Sequence, residues 1–201
     1  RSNPCLLKRG LLRFARNDER YFMISSPSDI ITFWREAGYE RWYAKDDAFD
    51  QELRDRFMGT WEAARDGKLS AWQNSDDGAL ALLIVLDQFP RNMFRNDARA
   101  FSTDALARDV AARAIAEGRD QRIEQGMRAF MYLPFEHSED MADQERSVAL
   151  FEPLGADSLK WAVLHADIIR KFGRFPHRNT VLGRATTPDE AAFLDEGGFA
   201  G

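Results

Sequence analysis

The chain's three histidines, His137, His165 and His177, stand close in sequence to carboxylates and guanidinium groups, and that pairing is the raw material of acid–base chemistry. A carboxylate fixes an imidazole's tautomer while the other ring nitrogen takes or gives a proton. Glu136-His137-Ser138-Glu139 offers the pairing twice, since Glu136 or Glu139 can orient His137. Arginine with asparagine serves recognition instead, because planar donor forks match carboxylate and phosphate oxygens. Arg91, Asn92 and Arg95 follow Asp87 in LDQFPRNMFR, and Arg174, His177, Arg178 and Asn179 crowd the segment KFGRFPHRN. The candidates for catalysis are His137, His177 and Glu136. Those for holding a small anion are Asp87, Arg91, Asn92, Arg95, His137, Glu139, Arg174, His177, Arg178 and Asn179.

Each candidate also has a structural reading. Asp87 can fix Arg91 while the chain turns, Ser138 and Glu139 can cap the following helix, and Asn179 can hold a turn. His165 shares a helical face with Ile168, Ile169 and Phe172, the setting of a satisfied core residue. Metal binding needs ligands at recurring spacings, and no H-x-x-x-H or similar pattern occurs, although Glu136, Asp87 or Asp167 with the histidines would supply enough donors. No metal and no cofactor are therefore expected. There is no G-x-S-x-G elbow and no glycine-rich phosphate loop. These residues specify no reaction.

The elements that must position them read as helices throughout. Phe89-Pro90, Leu133-Pro134 and Phe175-Pro176 each place a proline beside the candidates, and proline is expected to end a helix there. Ser26-Pro27-Ser28-Asp29 is a capping signature for a first helix that Gly38 stops. Phe49, Leu53, Phe57 and Trp61 recur every four residues on a second helix, from about Asp47 to Asp66. Ser75 opens a third, apolar on nearly every side through Leu86. A fourth spans about Thr103 to Glu117 with Leu106, Val110, Ala114 and Ile115 inward. A fifth runs from about Gln121 to Leu133, and a sixth, capped by Ser138, from about Glu139 to Glu152. A seventh from Ser158 carries Trp161 and His165 and stops at Gly173, and Thr187-Pro188-Asp189-Glu190 caps a last short one. About eight helices and no strand pattern predict an all-α fold, an array of antiparallel helices. No 34-residue repeat is present as a sequence match.

Composition narrows the partners. The 201 residues carry 28 basic and 33 acidic side chains, so a general nucleic-acid surface is not expected. The longest apolar run, Ala79 to Leu86, falls far short of the roughly 20 residues that span a bilayer, and no membrane association is expected. One cysteine, Cys5, allows no internal disulfide, which fits a reducing cytoplasmic setting. Residues 1–25 read as a leader or extension, in which KRGLLRFARNDE is similar to stretches made when intergenic repeats are translated from an early start; Met23 is the alternative start. Residues 26–201 read as one helical domain.

LDQFPRNMFR, LPFEHSED, FGRFPHRN and the closing LGRATTPDEAAFLDEGGF together resemble the signature stretches of a bacterial family known as domain of unknown function 924, over about Ser28 to Phe199. The resemblance implies an all-helical fold grouped with the tetratricopeptide-like superfamily, and no assigned reaction. Its motif positions fall on Asp87, Gln88, Pro90, Arg91, Asn92, Arg95, His137, Ser138, Glu139, Gly173, Arg174, Pro176, His177, Arg178 and Asn179. The expected function is a pocket for a small anionic ligand or metabolite. The alternatives are a tetratricopeptide-like groove for a peptide or protein partner, and a metal-dependent hydrolase.

Overall fold

The computed structural model describes residues 23–199; the first 22 residues of the leader, Cys5 among them, and the last two residues of the chain lie outside them. The chain is an all-α array. Helix α1, Pro27–Trp42, opens with the expected capping box: Ser26 receives the Asp29 amide and Asp29 receives the Ser26 amide. Gly38, at φ 73°, breaks it, and one further turn brings Trp42 back so that its indole donates to the Trp34 carbonyl at 2.6 Å. Helix α2, Asp47–Arg65, buries Phe49, Leu53, Phe57 and Trp61, as the four-residue spacing requires.

Helix α3, Asp76–Leu83, starts at Ser75 and is buried along its whole apolar length. The chain does not stop at Phe89-Pro90. Ile84–Gln88 widens into a π-turn and continues directly into α4, Phe89–Met93. In a regular helix the ring of Pro90 would collide with the Leu86 carbonyl one turn back and leave it without a donor. The π-turn removes that register, and Thr103, itself fully buried, donates its hydroxyl to the Leu86 oxygen at 2.5 Å. Asp87 is therefore placed inside the array, not at a helix end.

Helix α5, Asp104–Ala116, buries Ala107, Val110, Ala111 and Ala114 against α3, whereas Leu106, expected inward, is exposed. The expected fifth helix is instead a broken path: a 3-10 turn Asp120–Arg122, α6 (Gln125–Arg128), a second 3-10 turn, and α7 (Leu133–Glu136). Extended backbone at Ile123 and a tie from Tyr132 Oη to Asp120 at 2.7 Å interrupt it. Pro134 lies in the first turn of α7, where its missing N–H costs nothing.

Helix α8, Met141–Phe151, is capped by Asp140 rather than Ser138, because the Asp140 carboxylate takes the amides of Ala142 and Asp143. Helix α9, Ala156–Phe172, packs on α8 and ends at left-handed Gly173; Trp161 on it is exposed. Helix α10, Pro188–Asp195, begins with the predicted capping box at Thr187. A large apolar core joins α1, α2, α3, α5 and α7, and a smaller cluster around Ile168, Ile169 and Phe175 lies beneath α9 and the C-terminal segment. Among the described residues no helix is long and apolar enough to cross a membrane.

The Thr103 hydroxyl should matter more than its methyl group. Thr103→Val leaves the buried Leu86 carbonyl unsatisfied and should cost about 1–3 kcal/mol in urea unfolding, whereas Thr103→Ser should recover most of that.

Candidate functional site

Asp87, in the π-turn, is the centre of a buried polar cluster, and its side chain is 1% exposed. His137, which ends α7, approaches with Nδ1 at 2.8 Å from Asp87 Oδ1. Gln88 Nε2 reaches the other oxygen at 2.5 Å, and Arg91 Nη1 lies 3.3 Å from Oδ1 while donating to the Asp87 carbonyl. Arg91 then forms a two-pronged pair with Asp104 at the start of α5, at 3.0 and 3.1 Å. Arg178 completes the chain of charges, 3.6 Å from Asp104, with its guanidinium lying between the rings of Phe101 and Phe175 at 4.5 and 4.4 Å.

The other histidines adjoin it. His165 is buried on α9, its Nδ1 2.8 Å from the Trp161 carbonyl and 3.4 Å from Glu136 Oε1. Its ring centre is 6.3 Å from that of His137 and 4.6 Å from that of Phe199, which also packs on His177 at 5.4 Å. Phe175 touches both His165 and His177. The cluster thus occupies the seam between the two apolar cores.

The sequence candidates divide. Asp87, Arg91, Glu136, His137, His177 and Arg178 share this cluster. Asn92 and Arg95 point to α2, where both hold the buried carboxylate of Asp50. Arg174 and Asn179 converge on Glu190 in the capping box of α10. Glu139 does not orient His137; it receives both prongs of Arg184 at 2.7 and 3.1 Å and the Phe175 amide at 2.8 Å. Asp87 does the orienting. Asp104 and Phe199 were not among the sequence candidates. Asp104 has the look of an ordinary helix-opening acid, and only its burial beside two arginines distinguishes it.

Burial and charge split the ionisation states of these neighbours. Burial alone would push the Asp87 carboxyl upward, but Arg91 and His137 hold it well below the usual carboxylate range. Glu136 lacks a cation at hand, so burial, reinforced by the Asp87 charge, pushes it up to about 8. His137 is lowered by burial and by Arg91, against the pull of Asp87. Burial takes His165 and His177 down to about 3, with Arg178 as the next cause for His177. At neutral pH the cluster holds an anionic Asp87, a protonated Glu136 and three neutral imidazoles. Glu136 Oε2, His177 Nδ1 and Arg178 Nε are buried without a hydrogen-bond partner. No group of three or more His, Cys, Asp or Glu among the described residues is arranged to hold a metal.

Residues 30–198 match the family described as bacterial protein of unknown function, DUF924. The chain belongs to that family. A solved structure of a protein of unknown function from Agrobacterium tumefaciens is similar to it, with 47% sequence identity and a TM-score of 0.83, covering 85% of this chain and 97% of the other. No curated protein matches the chain. The DUF924 match spans every element that contributes to the cluster except Phe199.

The opposed shifts give stability a pH signature. Folded Glu136 keeps a proton that the unfolded chain surrenders above about 4.5, so its contribution to stability falls as pH rises from there to about 8. His165 and His177 act in the opposite sense: folded they stay neutral, so stability is lost as pH falls below 6.5. Glu136→Gln removes only the first effect. In urea unfolding the variant should gain on the natural protein by about 1 kcal/mol per pH unit between pH 5 and pH 8.

Proposed function

We propose that the cluster around Asp87 and Arg178 is a binding site for a small anionic ligand, a metabolite carrying a carboxylate or phosphate. The observation that carries this reading is the set of buried polar atoms without partners, Glu136 Oε2, His177 Nδ1 and Arg178 Nε, at one seam of the fold. Folded proteins satisfy nearly all such atoms, because each unmet donor or acceptor costs about 1–3 kcal/mol. Here two are nitrogens of cationic or protonatable groups and one belongs to a carboxyl that keeps its proton, so all three can donate to an anion. Arg178 suits anion recognition because two aromatic faces fix its plane, and an immobilised fork loses little freedom on binding.

The charge balance fits a ligand of modest charge. Arg91 is neutralised by Asp104 and Asp87, leaving Arg178 the less compensated cation. Burial, then Arg91, lowers its affinity for its proton to a pKa of about 10, and an arriving anion relieves that strain. An anion would equally favour protonation of His177. The site is read as working in a cytoplasmic setting, where small carboxylates and phosphates are abundant.

Calorimetry and thermal shift with succinate and inorganic phosphate test the reading. At least one should raise the melting temperature and take up protons on binding, with affinity reduced at least tenfold in Arg178→Gln and in His177→Phe. The surface change Leu106→Ala should leave affinity unchanged. No shift with any of a broad set of carboxylates, phosphates and nucleotides would contradict it.

A further inference from the structure

We propose that the site hydrolyses a small anionic ester, with His137 Nε2 as general base, Asp87 as the residue that positions it, and the Glu136 carboxyl as general acid. This rests on the anion-binding reading and adds a reaction to it. The geometry supplies each part. Asp87 Oδ1 accepts from His137 Nδ1 at 2.8 Å, which leaves the lone pair on Nε2. Nε2 has no hydrogen-bond partner among the described residues, and the ring keeps 13% of its surface open. Glu136, one residue earlier at the end of α7, brings Oε1 within 3.4 Å of His165 Nδ1 and leaves Oε2 unpartnered. His137 and His165, the ring that Glu136 approaches, meet edge to face with centres 6.3 Å apart, which sets base and acid beside one another. An Asp–His pair of this kind, in a π-turn, is the arrangement expected of a working base.

The proton inventory closes with water as the sole co-reactant. Water gives a proton to Nε2 as its oxygen bonds to the ester carbon, and the carbonyl electrons shift to oxygen. When they return, the bond to the leaving oxygen breaks, and that oxygen takes the Glu136 proton. The product acid and alcohol depart, and the imidazolium returns its proton to the Glu136 carboxylate through water. The ionisation states agree: Glu136 carries a proton at neutral pH and His137 does not. Such opposed pairs mark acid and base. The groups that face His137 are Asp87 and Arg91 from the π-turn and α4, Asp104 from α5, His165 from α9 and His177 from the C-terminal segment. Arg91 disfavours the imidazolium before reaction and Asp87 supports it once formed.

The probe is mono-p-nitrophenyl glutarate, an ester with a free carboxylate, supplied to the full chain. Release of p-nitrophenol should rise with pH through the His137 ionisation, which burial holds below the usual imidazole value, and fall again above about 8 as Glu136 loses its proton. His137→Gln should lower kcat at least tenfold with little change in KM. Asp87→Asn, whose amide can donate to Nδ1 and push the proton onto Nε2, should lower kcat and move the pH profile, a change that mere loosening of the fold would not produce. Long-range proton–nitrogen NMR of the natural chain provides a measurement free of folding defects, with His137 expected neutral and protonated on Nδ1 at pH 7. Turnover no faster than that of His137→Gln at every pH, or His137 protonated on Nε2, would overturn the proposal. Succinate binding that persists in that case would leave the anion site standing.

Discussion

An ionised carboxylate removed from water must be met by donors, or it takes up a proton at a cost of several kcal/mol. Asp87 is that carboxylate, set in the most apolar helical stretch of the chain, and much of the arrangement around it follows from satisfying its charge. Its partners come from the π-turn, α4 and α7: Gln88, Arg91 and His137. Arg91 then needs a second carboxylate, which brings α5 in through Asp104, and Asp104 in turn brings Arg178 from the C-terminal segment. One charge thus ties four distant parts of the sequence to a single point.

The π-turn is what makes the placement possible. Without it, Pro90 would end the helix and swing Asp87 and Arg91 outward to a terminus. With it, the helix runs on, Asp87 stays inside, and the orphaned Leu86 carbonyl is met by Thr103, the residue just before Asp104. The device that repairs the backbone and the residue that neutralises Arg91 are therefore neighbours on one helix start. The satellite clamps work around this centre. Asp50 holds Asn92 and Arg95 against α2, while Glu139 and Glu190 fix Arg184 and Arg174, so that the loop bearing His177 and Arg178 is pinned from both sides.

Much of the fold was legible because it rests on local signals. The capping boxes at Ser26 and Thr187, the aromatic stripe of α2 and the stop at Gly173 are each written within a few residues. What failed depended on distant partners. Pro90 reads as a stop because Thr103, thirteen residues on, is invisible to a local pattern, and the stretch from Gln121 to Leu133 reads as one helix because its tie to Asp120 is tertiary. The candidate site was found in outline through the proximity of His, Arg and Asn to prolines, but its internal pairing was not. Adjacent Glu136 and Glu139 were the obvious partners for His137, yet helix geometry turns both away and brings Asp87 across fifty positions instead. A lone acid closing an apolar run was the available clue.

Opposite charge states are expected on two buried neighbouring carboxyls at this seam, and carbon-13 NMR of the side-chain carboxyls reads them directly. Asp87 should stay ionised well below the usual carboxylate range, while Glu136 should titrate near 8, where the His165 and His137 rings are already neutral. Finding both carboxyls ionised at pH 6, or the proton on Asp87 and the charge on Glu136, would contradict it.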